Sequence, residues 1–180
     1  NPTSKVIPTS SVNPGFVLNS VHGDHGDHGD CLTIPTDPSD MEIKLSSCDL
    51  SKKGLQSFVY DEAERRISPV DYPNMCLGFN QFKGIGNEDP NMTIPLELQQ
   101  CDSSYPQMAA QQINWDGSSL SKVGGPVEVG AMRIHANPKV CVMAHGATGV
   151  GVGDCTESDS SRFSKIPIDY LEAHVDDPHP

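Results

Sequence analysis

The amino-acid sequence predicts an all-β domain, a closed barrel assembled from three unequal copies of one unit. Composition is the first observation. Gly and Pro make up 31 of 180 residues (16 and 15), and apolar residues only 36%, a balance of many turns and little helix. Second, short β-prone runs recur along the whole chain with Gly, Pro, Asn and Asp between them, as barrel strands do. Third, the chain repeats itself. Phe16-Val-Leu-Asn19 leads to Cys31-Leu-Thr-Ile34, Arg66-Ile-Ser-Pro69 to Cys76-Leu-Gly-Phe79, and Arg133-Ile-His-Ala136 to Cys141-Val-Met-Ala144. Internal repetition of one supersecondary unit favours a closed threefold barrel over a sandwich of unrelated strands.

Each segment has a place in this scheme. Residues 1–15, NPTSKVIPTSSVNPG, are rich in Pro, Ser and Thr and read as an extended arm. The barrel domain follows over 16–170. Its first copy, about 16–65, runs through Cys31 and Cys48 to Gln56-Ser-Phe-Val-Tyr-Asp61. The second, about 66–132, runs through Cys76 and Cys101 to the matching Gln111-Gln-Ile-Asn-Trp-Asp116. The third, about 133–170, runs through Cys141 and Cys155 to Ser161-Arg-Phe163, where the Gln is lost. The hairpin connection after the first run of each copy is short in the second (Val70 to Asn74) and third (Asn137 to Lys139) and long in the first. Residues 171–180, LEAHVDDPHP, are expected to form a loose polar tail.

The six cysteines define the compartment. None lies in a CxxC or CxxH arrangement, so zinc-finger and thioredoxin readings fail. An even count at wide spacing points to three disulfides and an oxidising environment. Of the fifteen connectivities open to six cysteines, the repeat selects Cys31–Cys48, Cys76–Cys101 and Cys141–Cys155, each closing a loop within its own copy. Such loops contribute about 3 kcal/mol apiece through loop-closure entropy. Asn91-Met-Thr93 fits an N-glycosylation acceptor. With no Met and no apolar signal segment at Asn1, a mature, secreted, extracellular protein is expected. The formal charge is -12 against only 12 Lys plus Arg, which repels nucleic acid and anionic membrane alike. No apolar run approaches the roughly 20 residues of a membrane helix.

The order Cys-Leu, Cys, Gln-x-aromatic and an Ile-led strand, three times over, resembles the ricin B-chain type of β-trefoil, the R-type lectin family. The likeness covers residues 15 to 170. It departs from the pattern in the long interval between Cys101 and Cys141 and in the degenerate third copy. It implies a β-trefoil of three ricin-type repeats, each with an internal disulfide. Phe58, Ile113 and Phe163 would then plug the barrel, and Gln56 and Gln111 would hydrogen-bond backbone that is otherwise buried unpaired.

The resemblance also implies sugar sites, which three positions per copy decide. In ricin-type sites an Asp follows the Cys-aliphatic pair and accepts from sugar hydroxyls. An aromatic ring two positions before the next Cys stacks on the pyranose, and an Asn precedes the Gln. Here the Asp position holds Thr33, Gly78 and Met143; the ring position holds Ser46, Gln99 and Gly153; the Asn position holds Leu55 and Ala110. The family's galactose-binding role is therefore not expected, because function resides in the site and not in the fold.

Other signals are weighed against plain structural roles. His22-Gly-Asp-His-Gly-Asp-His-Gly-Asp30 offers His22, Asp24, His25, Asp27, His28 and Asp30 as candidate metal ligands. The Gly at every third position leaves them poorly organised, so a solvated loop is the plainer reading. Gly146-Ala-Thr-Gly-Val-Gly-Val-Gly153 lacks the Lys-Ser/Thr of a phosphate loop and reads as a tight strand connection. No catalytic motif and no cofactor fingerprint is present.

Three functions remain. The first is a non-catalytic accessory subunit bound to a larger secreted enzyme. Cys31-Leu-Thr-Ile-Pro35 and Cys76-Leu-Gly-Phe79 look like secreted fungal trefoils, and heterodimeric laccases carry a small lectin-like subunit of this kind. The second is a lectin binding a glycan at an atypical site, with Trp115, Tyr105, Tyr60, Tyr72 and Phe82 as candidate platforms. The third is a protease inhibitor, for which no reactive-loop signature is present.

Overall fold

The computed structural model describes residues 15–21, 30–37, 39–80, 94–118, 127–145, 148–155 and 159–173. Among these are twelve antiparallel strands: β1 (Phe16–Ser20), β2 (Asp30–Thr33), β3 (Lys44–Ser47), β4 (Phe58–Asp61), β5 (Arg66–Pro69), β6 (Met75–Phe79), β7 (Ile94–Gln100), β8 (Ile113–Ser118), β9 (Glu128–Ile134), β10 (Asn137–His145), β11 (Gly149–Asp154) and β12 (Phe163–Pro167). Six of them close a ring. β1 pairs with β4 and β12, β4 with β5, β12 with β9, and β9 with β8. The gap between β5 and β8 is bridged by the Ile113 amide donating to the Arg65 carbonyl at 2.7 Å. Arg65 takes the left-handed conformation, φ 60°, to end the turn between β4 and β5.

The other six strands form three hairpins, β2–β3, β6–β7 and β10–β11, which meet one another over one end of the ring. All three share one register. Cys31 faces Ser46, Cys76 faces Gln99, and Cys141 faces Gly153, so the second cysteine of each pair always lies two residues past the partner of the first. Disulfides join Cys31 to Cys48, Cys76 to Cys101 and Cys141 to Cys155 across loops of 17, 25 and 14 residues.

The core repeats in step with the register. Phe58, Ile113 and Phe163, each the first residue of a ring strand, are fully buried, as are Leu32, Leu77 and Val142, each just after a hairpin cysteine. Each ring-strand opener follows a short helical turn: Lys53–Gln56, Gln107–Ala110 and Asp159–Ser161. In the first copy a 3₁₀ helix, Leu50–Lys52, leads into that turn, and Asp49 caps it, its Oδ1 accepting from the Ser51 amide at 2.9 Å.

Three expectations from the sequence need correction. The connection anticipated at Asn137–Lys139 already belongs to β10. The chain turns instead at residues 135–136, and an irregular register between Asn137 and Cys141 absorbs the difference. Gly149 to Gly153 is not a connection but most of β11, because the Val-Gly alternation has the strand period and turns Val150 and Val152 into the core. The third set of four strands opens at Glu128, where β9 begins, and not at residue 133. At the C-terminal end, the helix Ile168–Ala173 continues past residue 170. Leu171 and Ile168 pack there with Val17, Cys31 and Cys48.

Candidate functional site

The shared register puts the three lectin positions of each copy side by side, and in the first two copies the protein's own side chains occupy them. In the first, the Thr33 and Ser46 hydroxyls bond each other at 2.7 Å across β2 and β3. Gln56, almost wholly buried, points its amide nitrogen at Thr33 Oγ1 (3.0 Å), Ser46 Oγ (3.2 Å) and the Ser47 carbonyl (2.9 Å). Its Oε1 accepts from the Asp49 amide at 3.0 Å. Two N–H bonds are thus shared among three acceptors.

The second copy builds the same closure from different residues. Gln111 Nε2 donates to Gln99 Oε1 (3.0 Å) and the Gln100 carbonyl (2.9 Å), while its Oε1 accepts from the Asp102 amide (2.8 Å). Gln107 adds a second donor to Gln99 Oε1 at 2.6 Å and reaches the Phe79 carbonyl at 3.2 Å. Gly78 makes room for this folding-over. A Cβ there would stand 2.5 Å from Gln99 Oε1 and 2.8 Å from Gln111 Cγ.

In the third copy Met143 is nearly buried, Gly153 offers no side chain, and buried Ser161 stands at the Gln address. The Asn position is equally unhelpful to a sugar. Leu55 packs on the core and Ala110 is buried. No copy offers a carboxylate with a facing ring, and two are sealed by hydrogen bonds whose disruption would strand buried polar groups.

Two of the five candidate aromatic platforms, Trp115 and Tyr60, serve the fold. Trp115 donates its indole N–H to Glu128 at 3.2 Å and packs on the core. The Lys165 ammonium sits 5.7 Å from its ring centroid, and Gly117 leaves room for the indole edge, since a Cβ there would stand 2.5 Å from Nε1. Tyr60 donates to the Ile113 carbonyl at 2.8 Å, tying β4 to β8, and burial raises its phenol above the ordinary value of 10.0. Tyr72 and Tyr105 are the aromatics exposed among the described residues. Phe82 and Asn91 lie outside the described residues, as do His22, Asp24, His25, Asp27 and His28. Asp30 is described: it is buried, opens β2 opposite Ser20, and donates its amide to Asn19. Among the described residues no group of three or more His, Cys, Asp or Glu could hold a metal ion, and no helix is long and apolar enough to cross a membrane.

Sequence reasoning did not find Gln99 and Gln107 as site-closing residues, although the density of Gln between residues 99 and 112 was a signal. It also did not find an open groove of about 520 Å³ between the β4–β5 hairpin and the Cys76–Cys101 disulfide. Asp61, Arg66, Ser68, Asn74 and Gln100 supply its polar groups, and Pro73 and Met75 its apolar wall.

No protein-family model matches the chain, and no curated protein matches it. Solved structures do. The hemolytic lectin CEL-III is 20% identical over 86% of this chain and 33% of its own, with a TM-score of 0.57. The designed 3-fold symmetric protein ThreeFoil is 10% identical over 85% of this chain and 98% of its own, with a TM-score of 0.56. The β-trefoil lectin of the Vibrio vulnificus hemolysin/cytolysin, solved with N-acetyl-D-lactosamine bound, is 17% identical over 84% and 93%, with a TM-score of 0.53. The fold is that of the β-trefoil lectins. The chain spans about a third of the hemolytic lectin's length. At these identities the likeness speaks for the fold alone.

Proposed function

We propose that this protein is a non-catalytic binding module, a secreted β-trefoil of three ricin-type repeats that serves as the accessory subunit of a larger secreted enzyme. A small lectin-like subunit of a fungal laccase is the concrete form of this reading. The observation that carries it is the sealing of the lectin positions by Gln56 in the first copy and by Gln99, Gln107 and Gln111 in the second. A trefoil that has lost its sugar chemistry but kept three disulfides and a threefold core retains the rigidity and surface of an interaction module. The disulfides agree with an oxidising compartment. Native mass spectrometry of the protein as isolated from its source, before any denaturing step, tests the reading. A stoichiometric complex with a larger chain is expected, and a lone chain with its own modifications would refute it.

A further inference from the structure

We propose that the arm of residues 1–14 docks as an extended segment in the groove between the β4–β5 hairpin and the Cys76–Cys101 disulfide. The fold has one equivalent place beside each disulfide, and the strand registers locate it. Across β12 and β1, Phe163 faces Ser20 and Ile166 faces Val17. Across β4 and β5, Phe58 faces Pro69 and Asp61 faces Arg66. Across β8 and β9, Ile113 faces Ile134 and Asp116 faces Ala131. Counted from the buried openers Phe163, Phe58 and Ile113, the pair Ile166 and Val17 beside Cys31–Cys48 corresponds to Asp61 and Arg66 beside Cys76–Cys101. Asp116 and Ala131 correspond to them beside Cys141–Cys155.

Two of the three places are covered from within the chain. Beside Cys31–Cys48, Ile168 and Leu171 of the helix Ile168–Ala173 pack with Val17, Ile166 and both cysteines. Beside Cys141–Cys155, Arg133 reaches Asp116 at 3.1 Å and Cys155 Sγ at 3.4 Å. Beside Cys76–Cys101 neither cover exists among the described residues. The chain passes through the turn between β4 and β5, and the register puts the short Ser68 where the third place has Arg133. The ladder is looser there as well. Asn19 pairs with Cys31 and Arg133 with Cys141, whereas β5 pairs with β4 and not with β6, and Ser68 meets Cys76 through its hydroxyl, 3.6 Å from Sγ. The result is the open groove of about 520 Å³, with Asp61, Arg66, Pro73, Met75, Cys76 and Cys101 in its lining.

The arm fits this place because of where it joins the barrel. Gly15, φ 87°, lies so close to the β4–β5 hairpin that a Cβ on it would stand 2.4 Å from the Phe58 carbonyl oxygen and 2.6 Å from Val70 Cγ2. Val70 extends the β5 ladder, its amide donating to the Ser57 carbonyl at 3.0 Å. Ile67 and Pro69 are buried while Arg66, Ser68 and Val70 are half-buried, so the latter three share the outer face of the strand. The arm thus arrives at the head of a row that leads through Ser68 to Arg66, a distance of about 13 Å. Fourteen extended residues reach up to about 46 Å. Pro2, Pro8 and Pro14 favour extended backbone. Lys5 is the one charged residue of the arm, in a chain of net charge -12. Asp61 is its counterpart: Oδ1 accepts from the Ala63 and Glu64 amides at 3.0 and 3.1 Å, and Arg66 is held by Glu64 at 3.2 Å. Val6, Ile7 and Val12 supply apolar side chains for Met75 and the disulfide, as Ile168 and Leu171 do beside Cys31–Cys48.

This inference is independent of the subunit reading, because arm and groove belong to one chain. The test is NOE spectroscopy on the full ¹³C,¹⁵N-labelled chain in dilute solution with its disulfides intact. Cross-peaks are expected between the methyl groups of Val6, Ile7 or Val12 and the Met75 methyl. The double variant Val6→Asp, Ile7→Asp should shift the amide resonances of residues 66–76 and 101, while those of Leu32 and Leu171 stay in place. Both substitutions lie in the arm and outside the buried core, so the variant reports docking and not folding. Asp61→Asn should shift the side-chain resonances of Lys5. Absence of cross-peaks between the arm and residues 61–76, cross-peaks from the arm to Leu171 instead, or unmoved amides at 66–76 in the double variant would each overturn the proposal. Cross-peaks that arise only between differently labelled copies in a mixed sample would overturn it too, by giving the groove to a second copy.

Discussion

If Gln111 is the keystone of the second copy, removing its amide without removing its volume should be costly. Gln111→Met does this, because the side chains are similar in length and the site is fully buried. Two backbone groups lose their partner, the Asp102 amide (2.8 Å) and the Gln100 carbonyl (2.9 Å). Gln99 Oε1 keeps its bond from Gln107 at 2.6 Å and so adds little. Each orphaned buried group costs about 1–3 kcal/mol, and Asp102, which is only partly buried, recovers some of that from water. The expected loss is therefore about 3 kcal/mol. Gln111→Ala adds a cavity and should cost about 1–2 kcal/mol more. For a domain of this size 1 kcal/mol corresponds to a shift of about 2–4 °C in Tm. Differential scanning calorimetry with the disulfides intact should thus show Gln111→Met melting about 6–12 °C below the parent, and Gln111→Ala lower still. A parent-like Tm for Gln111→Met would refute the reasoning, because it would mean that the hydrogen bonds seen around Gln111 contribute nothing net.

Three further outcomes follow from the same structure. Gly78→Ala places a methyl group 2.5 Å from Gln99 Oε1 and 3.2 Å from the Ala110 carbonyl, so it should destabilise by about 1–3 kcal/mol in urea unfolding, and combining it with Gln99→Ala should recover part of the loss. Removing disulfides pairwise by Cys→Ser should cost about 3 kcal/mol each, with Cys76–Cys101 (25 residues) about 0.5 kcal/mol more costly than Cys141–Cys155 (14 residues). Equal losses, or the reverse order, would show native strain outweighing chain entropy. The Tyr60 phenol is raised by burial, so its contribution is fully present below the ordinary pKa of 10.0 and is lost as pH rises through the folded value. Tm should fall between pH 9 and 11 more steeply in the parent than in Tyr60→Phe.

Much of this architecture was legible because it is written in residues whose burial leaves little choice. A cysteine followed by an aliphatic residue marks the start of each hairpin, and Leu32, Leu77 and Val142 are all fully buried. The ring-strand openers Phe58, Ile113 and Phe163 were equally readable, since each sits two residues after a Gln or its replacement. What the sequence concealed depends on side-chain direction. Thr33, Ser46 and Gln99 were visible as losses of lectin chemistry, but whether they left an empty cleft or filled it depended on where Gln56 and Gln107 point. The Asp61–Arg66 groove was hidden for the same reason. Its difference from Asp116–Arg133 is one of register: Asp61 directly faces Arg66 across β4 and β5, whereas Asp116 faces Ala131 and Arg133 faces Asn114, so Arg133 reaches Asp116 diagonally across β8 and β9. Trp115, attractive as the sole tryptophan, is held by Glu128 from the neighbouring strand β9 and by Lys165 from β12, which is distant in sequence.

In the first two copies the lectin positions are sealed by hydrogen bonds that the fold itself uses. A sugar site must hold a carboxylate and a flat ring toward water, unpaired until the ligand arrives. Exchanging the ring for Ser46 or Gln99 and the carboxylate for Thr33 or Gly78 removes that exposure. It also gives Gln56 and Gln111, which the fold already requires to satisfy the Asp49 and Asp102 amides, partners for their remaining N–H groups. In the first copy the cross-strand register aims Thr33 and Ser46 at one Gln. Reversal would therefore require breaking bonds that hold the copy together: a Thr33→Asp, Ser46→Trp exchange in the first copy would have to pull Gln56 Nε2 from two acceptors at once.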